Sequence, residues 1–427
     1  MSPSQSGEQT TPTQWVATPA AGSSPPSLTV DGQSFFARGV AYSPVPWGAD
    51  ANWAPYGDFM FPPWNGVWNR DLPAMRNAGI NVIRTYNIEN VSPDNGAKQD
   101  HSHFLNACWN GGTNPIYVLV GFGPLNNLAI YDPWDSTQPK RDAARKAFLA
   151  MVAAYAAFPA VMGFIIGNEV NSVVTRDNSN FWKWLNDLAG ATKAAAPGKL
   201  TLLALVDDSM KSVSHADKNM PKLDVWGINT YRGQIQPANA NNFNNLWNSF
   251  AQLSKKPLLI SEWGAPASTH DGAGHLVFTG PVVANLDTYI TGHYTDITYN
   301  SVATTTNGGA NNPNAANWAP VCVGSCYFEW TDEWWKLDGA YSQEKCPATI
   351  QNVGLAQNPA FPGGWDDEEC FGLNAIKPSG GDPFQRTVPP HGKCPGPWNF
   401  HTQAPYLPDI LRPRQSLATL TKLFKAT

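Results

Sequence analysis

Gly163–Glu169 has the sequence GFIIGNE, an apolar run that ends directly in a polar Asn and a carboxylate. A short, continuous apolar run is typical of a parallel strand that is buried on both faces. Leu258–Gly264, with the sequence LLISEWG, repeats this design and contains Glu262. Since the strands of a parallel barrel present their carboxyl ends at one face, we expect Glu169 and Glu262 to meet there.

Six further apolar runs of this kind complete a regular pattern, with helical segments between most of them. The eight predicted strands are Phe36–Ala41, Asn81–Thr85, Pro115–Val120, Val161–Ile166, Leu200–Val206, Leu223–Asn229, Pro257–Ser261 and Ser325–Phe328. The predicted helices are Asn69–Ala78, Lys140–Ala157, Phe181–Ala195, Phe243–Leu253, Pro281–Tyr294 and Pro413–Lys425. This alternation predicts the α/β class and a parallel (β/α)8 TIM barrel. Asp31 and Gly32, between two apolar runs, predict a β-hairpin before the barrel.

We expect one catalytic domain over residues 27–427, preceded by a flexible lead-in over residues 1–26. The lead-in is rich in Ser, Thr, Pro and Gln and lacks the charged and apolar regions of a signal peptide. Residues 337–410 are rich in Pro and Gly. This segment is too long for an ordinary connection, so we predict an ordered excursion on the barrel rim.

The cysteines predict the compartment. Five of the six Cys residues lie after residue 320, which predicts two or three disulfides that tie the excursion down. Disulfides in turn indicate a secreted or periplasmic protein whose signal peptide has been removed. The alternative is a set of free cytosolic thiols.

Composition excludes several classes of protein. Charged residues make up 14% of the 427 residues and the net charge is -5, which argues against nucleic-acid binding. No apolar run reaches the roughly 18 residues that a membrane-spanning helix needs. The 18 Trp residues favour a neutral ligand with flat apolar faces, such as a sugar. We expect a monomer that uses no metal and no cofactor, and we interpret His101 and His103 as solvated loop residues.

Two carboxylates that meet at one barrel mouth suit glycoside hydrolysis. One carboxyl group must protonate the leaving oxygen, and the other must attack or stabilise the anomeric carbon. Their proximity also separates their proton affinities, which leaves one acid and one anion at the working pH. Glu169 and Glu262 are therefore the candidate catalytic pair.

Gly-Asn-Glu after the fourth strand and Ser-Glu-Trp-Gly after the seventh resemble motifs of the large clan of retaining β-glycosidases with (β/α)8 barrels. The resemblance implies that Glu169 is the acid/base and Glu262 the nucleophile. It also implies that Asn168 binds the sugar 2-hydroxyl.

Three more strand ends resemble the same clan. The resemblance implies that Arg84, after the second strand, pairs with the nucleophile, and that Tyr231, after the sixth, donates a hydrogen bond to it. A guanidinium would favour an ionised carboxylate, and a phenol would orient it. Trp330, after the eighth strand, is implied as the aromatic floor beneath the cleaved sugar. Its neighbours Glu329, Trp334 and Trp335 are alternatives for that place.

Within the clan, residues 33–336 are most similar to the β-1,3-glucanosyltransferases that remodel fungal cell walls. The similarity lies in FFARGVAYSP at 35–44, DLPAMRNAGINVIRTY at 71–86, an Asp-Asp pair after the fifth strand and Asn-x-Tyr after the sixth. It implies Tyr42, Asp208 and Trp263 as further substrate-binding residues. FEWTDEWW at 328–335 departs from that pattern and resembles the β-galactosidase and β-glucuronidase branch.

We therefore expect a retaining hydrolase or transglycosylase that acts on a β-linked glucan through a covalent glycosyl-enzyme. A β-mannan- or β-galactoside-active hydrolase of the same clan is the first alternative. A non-catalytic carbohydrate-binding barrel is the second, although such a barrel has no use for two juxtaposed acids.

Overall fold

The computed structural model describes residues 12–46, 58–62, 64–89, 99–172, 177–233, 242–272, 276–301, 318–333, 336–337, 340–341, 359–377 and 408–427. The β-strands are β1 Trp15–Thr18, β2 Ser27–Val30, β3 Gln33–Ser34, β4 Ala37–Ala41, β5 Val82–Arg84, β6 Tyr117–Val120, β7 Val161–Asn168, β8 Leu200–Val206, β9 Val225–Asn229, β10 Leu258–Trp263, β11 Thr269–His270, β12 Leu276–Val277, β13 Cys322–Tyr327, β14 Lys336–Leu337, β15 Ala340–Tyr341, β16 Asn374–Lys377 and β17 Ile410–Pro413. The α-helices are α1 Asn65–Asn77, α2 Ser102–Trp109, α3 Gly123–Asn126, α4 Gln138–Tyr155, α5 Ser179–Ala195, α6 Lys211–Ala216, α7 Leu246–Leu253, α8 Pro281–Tyr299 and α9 Gln415–Ala426.

Eight parallel strands close into a barrel, in the order β4, β5, β6, β7, β8, β9, β10 and β13. Each of the eight overlaps one predicted strand, so the prediction of a (β/α)8 barrel is confirmed. Because all eight strands run in the same direction, their carboxyl ends lie at one face of the barrel.

Side chains along the barrel strands alternate between the two sides of the wall. In β8, Leu202 and Ala204 pack with Val82 in the smaller apolar cluster, which fills the barrel. Leu203 and Leu205 belong instead to the larger apolar layer that includes the helices. Both layers are apolar, and for that reason the strands appear in the sequence as continuous apolar runs.

The predicted hairpin joins β2 and β3, which pair in an antiparallel arrangement. Asp31 and Gly32 have φ angles of 49° and 79°. Positive φ at both central residues is the geometry of a type I′ turn, which explains why Asp-Gly stands there.

The predicted lead-in over residues 1–26 is too long. β1 pairs antiparallel with β2, and the ring of Trp15 packs edge-on against Phe35 and Tyr117 at centroid distances of 4.9 Å and 4.7 Å. Trp15 belongs to the same cluster as the barrel interior, so the small sheet closes one end of the barrel. Residues 1–11 lie outside the described residues.

Helix α1 begins earlier than the sequence predicted. We expected a start at Asn69, but the first helical residue is Asn65, and no side chain caps this end. Burial of Trp68, Leu72 and Met75 holds the helix against the barrel instead. Tertiary packing therefore outweighs the capping signal here.

Residues 359–377, the longest described segment of the rim excursion, lie against the barrel. Asp367 is fully buried and accepts a 2.6 Å hydrogen bond from Ser268 Oγ. Its other oxygen lies 3.0 Å from His270 Nε2. These contacts fasten the segment to the loop that follows β10.

Strand β17 pairs antiparallel with β16 and brings the chain back to the barrel. Arg414 donates to both carboxylate oxygens of Asp332, at 2.6 Å and 2.8 Å, and ties this hairpin to the residues after β13. Among the helices that the structure describes, none has the length and apolarity needed to cross a bilayer.

The prediction of two or three disulfides is not supported. Four cysteines are buried and free, namely Cys108, Cys322, Cys326 and Cys370. Cys346 and Cys394 lie outside the described residues. The sequence argument was wrong because Cys322 and Cys326 are part of a core strand, where a thiol serves as a small apolar side chain.

This arrangement predicts how the thiols react. Burial raises the pKa of Cys322 and of Cys326 to about 12, so neither forms the reactive thiolate in the folded protein. We expect at least four thiols to react with Ellman's reagent in denaturant without reductant, and these four to be silent before unfolding. A fully reduced sample, which should titrate six thiols, is the control. Fewer than four thiols in the unreduced, unfolded sample would contradict the structure.

Candidate active site

A cleft of about 790 Å³ opens at the carboxyl ends of the barrel strands. Glu169 directly follows β7, and Glu262 is the next-to-last residue of β10. Both line the cleft. The remaining lining residues are Ser43, Tyr86, Asn87, Glu89, Gly123, Pro124, Asn126, Asn127, Asn168, Tyr231, Phe328, Glu333, Phe361, Asp366, Glu368 and Phe371. The two carboxylates that sequence reasoning paired are thus in one cavity.

Three donors hold the carboxylate of Glu262. Arg84 Nη1 and the Tyr86 hydroxyl donate to Oε1 at 2.7 Å and 2.8 Å. The Tyr231 hydroxyl donates to Oε2 at 2.8 Å. The side chain is 7% exposed, so its orientation is set by the protein and not by solvent.

Arg84 is fully buried, and its guanidinium contacts the ends of three other barrel strands, β7, β9 and β10. Besides Glu262, Nη1 donates to the backbone oxygen of Ser261 at 2.7 Å and to Asn229 Oδ1 at 3.1 Å. Nη2 donates to Asn168 Oδ1 at 2.6 Å. Burial alone lowers the pKa of Arg84, but nearby Tyr86 and Glu262 raise it above its usual value, so the group stays cationic.

Glu169 stands at a sharp turn of the chain directly after β7. Its φ angle is 54°, in the left-handed region, and its backbone N–H donates to Ala204 O at 2.8 Å. Asn229 Nδ2 donates to Oε1 of its side chain at 2.9 Å. Glu169 thus accepts from the amide of Asn229, whereas Glu262 accepts from a cation and two phenols.

The two tyrosines on Glu262 are donors that keep their protons. Burial raises the pKa of Tyr86 and of Tyr231 well above 10, and the charge of Glu262 raises both further. Phe328 packs edge-on against both phenol rings, at 6.4 Å and 6.3 Å between centroids. A fixed anion beside a second, differently held carboxyl group is an arrangement suited to nucleophilic attack with acid assistance.

Four residues that we expected to contact substrate do not line the cleft. Tyr42, Trp263 and Trp330 are fully buried. The Tyr42 hydroxyl donates to Asp71 Oδ2 at 2.8 Å, and Trp263 packs edge-on against Tyr327 at 5.1 Å. These aromatic side chains are part of the core in the structure.

Asp208, the fourth of these residues, lies three residues before helix α6. It accepts hydrogen bonds from the backbone N–H of Ser212, at 3.0 Å, and from Ser212 Oγ, at 2.7 Å. Its neighbour Asp207 forms a two-pronged ion pair with Arg232. Burial raises the pKa of Asp207, but the hydrogen bonds and charge of Arg232 lower it below its usual value.

The sequence also missed residues that do line the cleft. Tyr86 follows Arg84 by two positions, and this spacing could have identified it, because alternate residues of a strand share a face. Phe328, two residues before Trp330, lines the cleft, whereas Trp330 does not. Phe361 and Phe371 come from the rim excursion, where no local sequence pattern predicts that they line the cleft. Trp334 and Trp335 lie outside the described residues.

His101 is not a solvated loop residue. It is fully buried, and its Nε2 lies 2.7 Å from Asp58 Oδ1. Its Nδ1 lies 2.8 Å from the Tyr155 hydroxyl. Within the described residues there is no group of three or more His, Cys, Asp or Glu side chains that could hold a metal ion.

Comparison with known proteins identifies relatives of one kind. A family model described as a glucanosyltransferase matches residues 27–271. The chain is 28% identical over 235 residues to the 1,3-beta-glucanosyltransferase GAS5 of Saccharomyces cerevisiae, over 50% of this chain and 44% of that protein. It is 23% identical over 261 residues to the 1,3-beta-glucanosyltransferase gas5 of Schizosaccharomyces pombe, over 57% and 45%. The matched segment thus spans less than half the length of either relative.

Solved structures share the fold. The chain is similar to Saccharomyces cerevisiae Gas2p in complex with laminaritetraose and laminaripentaose, with a TM-score of 0.52 and 15% identity, over 98% of this chain and 68% of that one. A β-D-glucuronidase from Dictyoglomus thermophilum has a TM-score of 0.55 and 12% identity, over 96% and 54%. At these identities the likeness shows the fold alone.

Glu89, which lines the cleft, is expected to lower the free energy of unfolding in a pH-dependent way. Burial, with a contribution from Asp58, raises the pKa of Glu89 from 4.5 to about 7. The folded state therefore binds this proton more tightly than the unfolded state does, and stability falls as the pH rises from about 4 to 7. We expect Glu89→Gln to raise the free energy of unfolding by about 1–3 kcal/mol at pH 8 and to leave it nearly unchanged at pH 4.

Urea denaturation at the two pH values measures this difference. Asp187→Asn is the control, because the Asp187 side chain is 62% exposed and its replacement should have a small effect at both. An equal change at pH 4 and pH 8 for the Glu89 variant would refute the prediction.

Proposed function

The chain belongs to the glucanosyltransferase family, whose model matches more than half of it, and on that basis we propose that it cleaves a β-1,3-linked glucan and transfers the new end to a second glucan chain. The observation that carries this proposal is the pair of carboxylates in one cleft. We further propose that the reaction proceeds with retention, with Glu262 as the nucleophile and Glu169 as the acid/base.

The first step forms a covalent glycosyl-enzyme. Glu262 attacks the anomeric carbon while Glu169 gives its proton to the glycosidic oxygen, so that the carbon–oxygen bond breaks and the leaving chain departs as an alcohol. Three hydrogen bonds to Glu262 support these roles; they come from Arg84, Tyr86 and Tyr231. They fix the direction from which the carboxylate of Glu262 can attack.

The second step returns the enzyme to its starting state. Glu169, now ionised, takes a proton from the incoming hydroxyl, and this oxygen displaces Glu262 from the anomeric carbon. A sugar hydroxyl gives transfer, and water gives hydrolysis. Phe328, Phe361 and Phe371 in the wall offer apolar faces that suit the C–H surface of sugar rings and favour a second glucan over water.

The setting of the reaction follows from its substrate. We propose that the protein is secreted, since polymeric β-glucan lies outside the cytoplasm. Relatives named as 1,3-beta-glucanosyltransferases support the substrate class. The structural likeness to glucuronidases supports only the barrel.

Product analysis tests the activity. We expect incubation with reduced laminari-oligosaccharides to yield products longer than the substrate, because a sugar acceptor intercepts the glycosyl-enzyme. Mass spectrometry of the product ladder measures this, with Glu262→Gln as the inactive control. Products that are exclusively shorter would identify a hydrolase, and turnover of β-mannan or β-galactoside alone would overturn the proposed substrate.

Replacement of each carboxylate tests the two roles. With an activated aryl glycoside, Glu169→Ala should still form the glycosyl-enzyme, because the leaving group needs no proton. Added azide should then accelerate turnover and give a product with retained configuration, whereas Glu262→Ala should give at most an inverted azide product. Each variant should lose at least about a hundredfold in activity on oligosaccharides. A retained azide product from the Glu262 variant would reverse the assignment.

A further inference from the structure

Asn229 is the last residue of β9. Its side chain contacts Glu169 directly and also contacts Arg84, which in turn holds Glu262. Its side chain is buried, with 2% of the residue exposed. Its amide makes four hydrogen bonds in the structure, two through Oδ1 and two through Nδ2. A buried amide that is satisfied on both ends holds one orientation, because rotation would break all four bonds.

Arg84 decides that orientation. A guanidinium is only a donor, so the atom of Asn229 that faces Arg84 Nη1 at 3.1 Å must be the amide oxygen. Ser261 Oγ donates to the same oxygen at 2.7 Å. The amide nitrogen is therefore forced to the opposite side, toward Asn168 and Glu169.

Both hydrogens of this nitrogen have a use. One is donated to Asn168 Oδ1 at 3.0 Å, and the other to Glu169 Oε1 at 2.9 Å. An Oε1 that accepts from a fixed N–H cannot direct a proton of its own along the same line. The unprotonated oxygen of a neutral carboxyl group is the better acceptor, so this contact favours Oε1 as the acceptor and Oε2 as the oxygen that carries the proton of a neutral Glu169.

We propose that Asn229 is a positioning residue that selects the oxygen of Glu169 from which the catalytic proton is delivered. Its N–H stabilises the ionised form through Oε1 and leaves Oε2 as the site that gains and loses the proton. The inference rests on the proposed acid/base role of Glu169. It links this role to Arg84, which orients Glu262 and, through Asn229, also orients Glu169.

Asn229→Asp is the sharpest variant. The new carboxylate keeps the acceptor for Arg84 and Ser261, so the fold is preserved, but it replaces the N–H donor with an oxygen that repels Glu169 Oε1. We expect the basic limb of the pH–rate profile to move up by about one pH unit. We expect kcat on laminari-oligosaccharides to fall about tenfold to a hundredfold, with little loss on a dinitrophenyl glycoside, whose leaving group needs no proton.

Two further variants separate positioning from folding. Asn229→Ala also removes the donor and should move the basic limb in the same direction by a smaller amount. Asn186→Ala is the matched control, because Asn186 is another buried Asn, on α5, where it accepts from the backbone N–H of Lys222 at 2.9 Å. It should leave both the limb and the leaving-group dependence unchanged. Equal losses on both substrates with unmoved limbs in the Asn229 variants would overturn the proposal.

A measurement without substrate separates this inference from the proposed function. The carboxyl carbon of Glu169 can be followed by ¹³C NMR in glutamate-labelled protein and assigned by its loss in Glu169→Gln. We expect its titration midpoint to move to higher pH in Asn229→Asp, whichever glycan the enzyme uses. An unchanged midpoint would refute the role of Asn229 even if transfer activity is found. A shifted midpoint with no activity on β-1,3-glucan would support that role and refute the proposed substrate.

Discussion

One buried guanidinium holds the candidate active site together. Arg84 donates to Glu262, Asn168 and Asn229, and each of these side chains comes from a different barrel strand. Burial of an unpaired cation costs several kcal/mol, and the two terminal nitrogens of Arg84 meet this cost with an ion pair and hydrogen bonds, while its Nε has no partner in the described part of the chain. The ends of four strands must therefore converge on one point, and this requirement ties the register of the barrel to the geometry of its chemistry.

The residues of the candidate active site come from two sources, the barrel strands and the rim excursion. The carboxylates and the groups that orient them stand at the ends of strands β5, β7, β9 and β10 or directly after them, where the closed barrel restricts their motion. Phe361 and Phe371 belong instead to the rim excursion, which Asp367 fastens through Ser268 and His270. Strands thus supply precise placement, while loops supply the surface that meets the substrate.

Much of this arrangement could be predicted from local sequence patterns. The eight strands and the convergence of Glu169 and Glu262 follow from apolar runs that end in polar residues, and the hairpin follows from Asp31 and Gly32 between two such runs. Trp263 and Trp330 could not be placed in this way, because residues at a strand end can turn into the cleft or into the core, and composition does not distinguish the two. The cysteines were also placed incorrectly, because their number suggested disulfides. Cys322 and Cys326 are instead free thiols that are buried in β13.

The sequence by itself determined the alternation of strands and helices, and with it the face of the barrel where reactive groups must gather. The sequence also determined that Glu169 and Glu262 are at this face, since each follows an apolar run whose end can be identified from the local pattern. Only the tertiary structure decided which neighbours each carboxylate has. The second phenol on Glu262 and the amide on Glu169 come from strands far apart in the chain. Hydrogen bonds of this kind require donor–acceptor distances that are correct to within a few tenths of an ångström. Closure of the barrel sets these distances, and no local sequence pattern encodes them.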